Sequence, residues 1–220
     1  MDRQELLMSN QVFAEYLPHR HVNANLELVS EEIRHHVQES IESLLSDSPK
    51  GLLLIGDVGC GKTSILAIVF KEYIRRLDRH IQNRFQANIG SKDLPKLVTH
   101  GQMINCLRKL QEEDEFTRPT IPKGLNATVL LIDDFGRGYD DKSKWNLSLQ
   151  EEFIDYRWKG SRPTFITTNL SPAELRSWRG WERIVDRIAD PDWMTALTVP
   201  GSSRRRRSSE QTTIEEILKS

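Results

Sequence analysis

The chain of 220 residues contains very little cysteine, with Cys60 and Cys106 as its only two thiols. Two thiols cannot form a disulfide framework, and the six scattered histidines have no set of cysteine partners for a zinc site. No apolar run approaches the length of a membrane span, and the N-terminus lacks the apolar core of a signal peptide. We therefore expect a cytoplasmic protein with reduced thiols and no membrane partner.

The chain also lacks an excess of charge of either sign. Its 31 basic and 32 acidic residues leave a formal net charge of −1. This balance excludes a global basic field for nucleic acid, so any contact with DNA must come from a local patch. A hydrophobic content of 37% over this length is enough for one α/β domain with a sizeable core.

The strongest motif is a glycine-rich stretch between a strand-like and a helix-like segment. The apolar run 51–55 leads into a loop of the form G-x-x-x-x-G-K-T, and an amphipathic helical pattern follows. This order is typical of a phosphate-binding loop and disfavours a simple turn with a chance lysine. We expect Lys62 to reach the terminal phosphates and Thr63 to ligate Mg²⁺. The predicted nucleotide-binding residues are Gly56, Asp57, Val58, Gly59, Cys60, Gly61, Lys62, Thr63 and Ser64.

Two carboxylates, Asp133 and Asp134, follow the apolar run 128–132, which is typical of a strand buried on both faces. Such a strand places both acids at the carboxyl edge of the sheet, where α/β folds bind ligands. We predict that Asp133 holds magnesium and that Asp134 polarises the attacking water as a general base. The alternative is an aspartate that caps a turn, as at the end of many strands.

An amide and two arginines follow the next strand-like run, 164–168. Asn169 can hydrogen-bond the γ-phosphate and the attacking water, although its residue type also suits a turn. Arg183 and Arg187 are four residues apart on one helical face and can stabilise phosphoryl transfer, in cis or from a neighbouring subunit. The alternative for these arginines is local pairing with Glu182, Asp186 or Asp190 on a solvated helix.

Strand-like and helix-like patterns alternate along the chain, which predicts a mainly parallel sheet with helices on both faces. We expect Ser30 to cap the first long helix, and Ser171 with Glu174 to cap a later one through a capping box. The polar stretch 78–95 predicts a long surface connection, and residues 1–29 predict a short helix with an extended arm.

Taken together, the motifs resemble the DnaC/IstB-like branch of the AAA+ ATPases, which contains helicase loaders and transposition helper ATPases. The likeness covers 17–205 and is most specific in the strand and turn 163–171, with further matches at 18–21, 132–136 and 155–158. It implies a P-loop NTPase fold of the AAA+ type, a five-stranded parallel sheet of order 5-1-4-3-2 with little or no lid. ATP and Mg²⁺ are the implied cofactors.

The same resemblance assigns roles to the arginines. It implies that Arg187 is an arginine finger acting on the ATP of a neighbouring protomer, with Arg183 as a second candidate. It also implies a sensor-2-like arginine near the nucleotide, for which Arg204 and Arg205 are equal candidates. The chain then divides into an N-terminal arm 1–29, an ATPase domain 30–205 and a C-terminal tail 206–220.

The first functional hypothesis is therefore a homo-oligomeric ATPase acting on single-stranded or double-stranded DNA, with a replicative helicase or a transposase as partner. Basic residues in 136–144 and 204–207 are candidate contacts to a DNA backbone. The chain departs from the family by its short N-terminal segment without a cysteine cluster and by His21 in place of a tyrosine. The alternatives are a nucleotide-switched protein-binding module with little turnover and a monomeric small-molecule kinase.

Overall fold

The computed structural model describes residues 17–83, 94–111, 121–136 and 144–201. Strands and helices alternate along these ranges, with two short 3-10 turns, His19–His21 and Leu26–Leu28, before the first helix. The strands are β1 Gly51–Ile55, β2 Lys96–Thr99, β3 Leu130–Phe135, β4 Thr164–Thr168 and β5 Met194–Thr198. The helices are α1 Glu31–Ser43, α2 Lys62–Asn83, α3 His100–Gln111, α4 Lys144–Lys159, α5 Pro172–Ser177 and α6 Glu182–Ile188.

The five strands form one sheet in the order β2-β3-β4-β1-β5, and every neighbouring pair is parallel. This is the order that the sequence resemblance implies, so that prediction is confirmed. Because all strands point the same way, the loop after β1 and the residues at the ends of β3 and β4 meet at one edge. In register, Ile55 lies beside Thr168, and Thr99 lies beside Asp133.

Helices cover both faces of the sheet, as the alternating pattern predicts. Along β1, Leu52 and Leu54 pack into one core cluster with side chains of α1 and α2, whereas Leu53 faces a second cluster with side chains of α3, α4 and α6. This alternation follows from the two-residue period of a strand. None of the helices within the described ranges is long and apolar enough to cross a membrane.

Two predicted element boundaries need correction. Strand β3 extends to Phe135 rather than ending at 132, because the ladder continues through Asp133 beside β2 and Phe135 beside β4. Helix α2 continues to Asn83, so the surface connection does not begin at 78, and no glycine or proline in 78–83 would end the helix earlier. Residues 84–93 lie outside the described ranges.

The two predicted helix caps differ. Ser171 and Glu174 form the capping box at the start of α5, as predicted. Ser30 occupies the cap position of α1, but its side chain makes no capping hydrogen bond. Instead, its backbone carbonyl accepts from the N–H groups of Ile33 and Arg34. The prediction of a Ser30 side-chain cap is therefore wrong.

The segment 17–29, which we call the N-terminal strap, packs against the sheet-covering helices. Leu17, Val22, Ala24 and Val29 are buried in the same core cluster as α1 and α2. The strap forms two 3-10 turns. Residues 1–16, which carry the rest of the predicted short helix and extended arm, lie outside the described ranges. The division of the chain at 29 and 205 stays a prediction, and the burial of the strap indicates that part of the arm packs with the domain.

A buried arginine ties α4 to the beginnings of β3 and β4. Arg157 is fully buried and donates to the Thr164 hydroxyl at 2.8 Å and to the carbonyl oxygens of Ala127 and Pro163 at 3.0 Å each. Burial lowers the pKa of this guanidinium to about 9. Arg157 therefore aligns the starts of two strands whose far ends carry the candidate site.

Candidate active site

The loop between β1 and α2 curls around the side chain of Lys62, which is 6% exposed. Its ammonium group donates to the carbonyl oxygens of Gly56 at 2.6 Å and Asp57 at 2.8 Å. Gly59 and Gly61 adopt φ values of 87° and 108°, a left-handed region that glycine enters without steric cost. The loop thus has the conformation and the cationic donor of a phosphate-binding site.

A hydroxyl and a carboxylate lie side by side at the start of α2. The Thr63 hydroxyl donates to Asp133 and is 3.1 Å from both carboxylate oxygens. The Thr167 hydroxyl of β4 donates to the same carboxylate at 2.6 Å and orients it. Hydroxyl and carboxylate oxygens are ligands that Mg²⁺ prefers, so Thr63 and Asp133 fit the predicted metal site.

Asn169 joins the lysine to the second carboxylate. Its side-chain oxygen accepts from Lys62 at 2.8 Å, and its amide nitrogen donates to Asp134 at 3.4 Å. Asp134 has a φ of 55°, which is uncommon for a residue with a side chain, and its N–H donates to the Thr167 hydroxyl at 2.9 Å. Lys62, Thr63, Asp133, Asp134 and Asn169 are therefore one hydrogen-bonded group, the phosphate edge.

Aromatic rings support the end of β3 from behind. The Phe135 ring lies 4.8 Å from His100 and 5.2 Å from Trp181, centroid to centroid. His100 is buried and hydrogen-bonded to Gln150 of α4 at 2.8 Å, and burial lowers the pKa of its imidazole. A side chain at the next residue, Gly136, would clash with Leu170, because a Cβ there would lie 2.5 Å from its Cδ1 atom.

The two predicted arginines lie on α6 and contact α4. Arg183 pairs with Glu151 at 2.7 Å, and Arg187 pairs with Asp155 at 3.3 Å one turn further along both helices. Arg187 also pairs with Asp186 at 2.6 Å and lies 4.0 Å over the Trp158 ring. The pKa of Asp155 is held below its usual range by Lys159 first and by Arg187 second.

We call Arg183 and Arg187, with Glu151 and Asp155, the arginine face. Among the described residues, hydrogen bonds and ion pairs join these arginines to α4 and α6, not to the phosphate edge of the same chain. The local pairing weighed from the sequence therefore occurs for Arg187 with Asp186. Sequence reasoning missed the partners on α4, because they are 32 residues away along the chain.

An apolar cleft opens beside the phosphate loop. It lies between the end of the N-terminal strap, the start of α2 and the segment that follows β5. Side chains that line it include Leu28, Val29, Cys60, Ile65, Ile68 and Val199. Ser30, Gly61 and Ser64 complete the lining, so the apolar side chains lie beside the polar start of α2.

Two further contacts were not predicted. Thr167 holds both Asp133 and the backbone of Asp134, and nothing in the sequence distinguishes it from Thr164 and Thr168 of the same strand. His21 of the strap lies 3.1 Å from the hydroxyl of Ser64, next to Thr63.

Arg204, Arg205 and the basic residues at 137–143 lie outside the described ranges, so their roles stay predictions.

Comparison with known proteins identifies the fold. No protein-family model matches the chain, and no curated protein matches it. The DnaC helicase loader superposes with a TM-score of 0.62 at 23% identity, covering 83% of this chain and 100% of the loader chain. DnaI superposes with a TM-score of 0.60 at 21% identity, covering 86% of this chain and 95% of DnaI.

The replication initiator DnaA bound to AMPPCP and single-stranded DNA gives a TM-score of 0.55 at 17% identity, covering 89% of this chain and 58% of that one. At these identities the likeness shows the fold. It confirms the P-loop, AAA+-type architecture that the sequence resemblance implies.

Proposed function

We propose that this chain binds and hydrolyses ATP and acts on DNA as an oligomer with ATP between protomers, in helicase loading or in transposition. The observation that carries the proposal is the position of Asn169, which bridges Lys62 and Asp134. A phosphate-binding cation, a candidate general base and the amide that would orient water between them are thereby within one group at the carboxyl edge of the sheet.

The chemistry follows from the roles that these side chains suit. Lys62 donates to the phosphate oxygens in place of its loop carbonyls, and Asn169 orients the water in line with the γ-phosphorus. Asp134 accepts the water proton as the new phosphorus–oxygen bond forms and ADP leaves. Thr63 and Asp133 would hold Mg²⁺, which would supply charge neutralisation for the phosphates.

The apolar cleft supports a nucleoside triphosphate rather than a bare phosphate chain. It is continuous with the loop through Cys60 and Gly61 and ends on side chains of the strap and of α2. We assign the base of the nucleotide to this cleft. The choice of adenine over other bases rests on the family resemblance.

The arginine face supports a site shared between protomers. Both arginines pair with α4 in their own chain, so they do not complete the phosphate edge of that chain within the described residues. The Arg183 side chain is 80% exposed and Arg187 is 29% exposed, which leaves both within reach of a second copy. An arginine supplied in trans would stabilise the charge that develops during phosphoryl transfer.

A role on DNA is supported by likeness and not by a surface of the described residues. One solved structure of this fold is a helicase loader, and another contains single-stranded DNA. With a net charge of −1, DNA contact would come from local basic residues such as Arg137, Lys142 and the run 204–207. A replicative helicase or a transposase is the proposed protein partner.

A nucleotide-switched module with little turnover is the second candidate function. It is favoured by the contacts of Arg187, which is held by Asp155, Asp186 and the Trp158 ring. An arginine finger in that position must leave these partners before it can act on a neighbour. Turnover would then stay low with or without DNA, and nucleotide binding would switch the docking of a protein partner.

The test is steady-state ATP hydrolysis with and without single-stranded DNA, over a range of protein concentrations. We expect DNA to stimulate hydrolysis and specific activity to rise with protein concentration. A slow rate that responds to neither would contradict the shared site and favour the switched module. Nucleotide binding measured on the same samples separates a failure to bind from a failure to turn over.

A further inference from the structure

Helix α2 carries a buried lysine that the phosphate edge does not use. Lys71 is 4% exposed and lies between Phe70 and Tyr73, which are also buried. Its ammonium group donates to the carbonyl oxygen of Val22 at 2.7 Å and to that of Ala24. Burial lowers the pKa of Lys71, with Arg75 acting in the same direction and Glu72 opposing it.

This lysine is a costly way to fill the interior. Removing an ammonium group from water is unfavourable unless good partners replace the water, and an apolar side chain of similar volume is often no less stable. The partners of Lys71 are backbone carbonyls of the N-terminal strap, so the side chain fixes the position of that strap on α2.

A second contact fixes the strap nearer to the phosphate loop. Arg20 Nε donates to His21 Nε2 at 3.0 Å, so that ring nitrogen is the acceptor. His21 Nδ1 therefore carries the proton and donates to the Ser64 hydroxyl at 3.1 Å. Ser64 and Lys71 are seven residues apart, about two turns, so both attachments lie on one face of α2.

The strap then continues directly into the apolar cleft. Backbone hydrogen bonds from Leu28 to Asn25 and from Val29 to Leu26 close the turn that follows the Lys71 contacts. Leu28 and Val29 form the wall that the strap contributes to the cleft, which Ile65 and Ile68 of α2 also line. A displacement of the strap at Val22 and Ala24 would therefore move this wall.

We propose that Lys71 is a positioning residue of the nucleotide site, which holds the strap so that its end forms the wall for the base. The proposal rests on the proposed nucleotide function. If Lys71 has this role, two parts of the ATP affinity can be separated. Binding of the base depends on the strap, whereas binding of the phosphate chain depends on the loop and Lys62. Lys71 acts through the strap and touches neither.

The experiment compares binding of Mg-ATP and of Mg-tripolyphosphate by calorimetry. Tripolyphosphate has the phosphate chain without a base. We expect Lys71→Met to weaken ATP binding roughly tenfold, because a tenfold loss corresponds to about a tenth of the molecules keeping the wall in place. Tripolyphosphate binding should change less than about twofold, because it does not need the wall. Lys71→Arg, which keeps a charged donor, should recover most of the ATP affinity.

Lys50→Met is the matched control. Lys50 also donates to a backbone carbonyl, that of Pro191 at 2.9 Å, but it lies before β1, at the other end of the sheet from the cleft. We expect Lys50→Met to leave both affinities unchanged. Thermal unfolding of each variant shows whether it is folded, and His21→Ala, which removes the second attachment of the strap, should repeat the selective loss if Lys71→Met is unstable.

The outcomes are distinct. Equal weakening of both ligands by Lys71→Met, or no weakening of either, would overturn the positioning role. If the unaltered protein binds neither ligand, the proposed nucleotide function itself fails. If it binds tripolyphosphate and ATP equally tightly, the phosphate site stands, but the assignment of the base to the cleft and the role of Lys71 both fail.

Discussion

The phosphate edge and the arginine face are both built from charged side chains, yet they are organised in opposite ways. At the phosphate edge, Lys62, Asp133 and Asp134 are joined through Thr63, Thr167 and Asn169 within one chain. On the arginine face, each arginine is neutralised by a carboxylate of its own chain.

The difference indicates which region can work alone. At the phosphate edge, hydrogen bonds through Thr167 and Asn169 link Lys62 with the proposed metal ligands and the proposed general base, so we expect one protomer to bind nucleotide by itself. The charges of the arginine face are already paired within one chain. Its arginines must therefore leave these carboxylates before they can contact a phosphate bound to a neighbouring protomer. We infer that a single chain binds nucleotide and that fast ATP hydrolysis requires an assembly of chains.

The largest expected effect is on the arginine face. Arg187→Ala should lower ATP turnover roughly a thousandfold while nucleotide binding is retained, because an arginine finger stabilises the transition state and not the bound ground state. Steady-state hydrolysis and equilibrium ATP binding, measured on the same protein, give the two values. Unchanged turnover would restrict Arg187 to its pairing with Asp155 and Asp186.

Mixing variants sharpens the same comparison. A mixture of Arg187→Ala and Lys62→Ala protomers should recover hydrolysis, because one variant supplies an intact phosphate edge and the other supplies the arginine. A mixture of Lys62→Ala with Asp134→Asn should stay inactive, since neither protomer has an intact edge. Recovery in both mixtures, or in neither, would contradict a site divided in this way.

The next effect is at the phosphate edge. Asp134→Asn should lower turnover about a hundredfold or more, the usual contribution of a general base, and leave ATP binding nearly unchanged. The isosteric amide preserves the shape of the side chain that faces Asn169. A single-turnover assay separates this chemical step from product release, and a normal single-turnover rate would assign the base elsewhere.

A smaller effect is expected behind the metal ligands. Thr167→Val removes the hydroxyl that orients Asp133, and loss of such a supporting contact weakens metal binding by roughly tenfold or more. The Mg²⁺ concentration for half-maximal activity is the measurement. Thr164→Val is the matched control, because Thr164 is equally buried on β4 but bonds to Arg157 at the opposite end of the strand. A shift in both variants would indicate a general loss of stability.

The sequence carries more information about the phosphate edge than about the arginine face. The loop residues and Asn169 follow strands, and Asp133 and Asp134 lie near the carboxyl end of β3. A parallel sheet brings such strand ends together whatever the intervening helices are. The order of the sheet came from the family resemblance. The pairing of Arg183 with Glu151 could not be predicted in this way, because it depends on the packing of two helices whose relative position no local pattern records.

The same limit applies to Lys71 and the N-terminal strap. A single lysine on the apolar side of a predicted helix gives no sign that it binds carbonyl oxygens nearly 50 residues earlier. Strand β3 and helix α2 were predicted too short for a related reason. Strand pairing extended β3 through two charged residues, and charged residues at the end of α2 were compatible with helix.

The smallest expected effect concerns His100, which lies between the two regions. Its ring packs on Phe135 beside the phosphate edge, and it is hydrogen-bonded to Gln150, next to Glu151 of the arginine face. Because burial lowers the pKa of His100 below its ordinary 6.5, the unfolded chain binds a proton more readily than the folded one. Its contribution to stability is present above pH 6.5 and is lost as the pH falls toward the lowered value.

Urea unfolding at pH values of about 5 and about 7.5 measures that loss, since these lie on either side of the ordinary titration of histidine. We expect His100→Gln, which keeps a polar side chain without a titrating ring, to be less sensitive to acid than the unaltered protein. His19→Gln, which replaces a solvent-exposed histidine, is the control and should leave the acid sensitivity of stability unchanged. If His100→Gln retains the full acid sensitivity, the pH response arises in other groups, and the buried imidazole is only a packing element between the two regions.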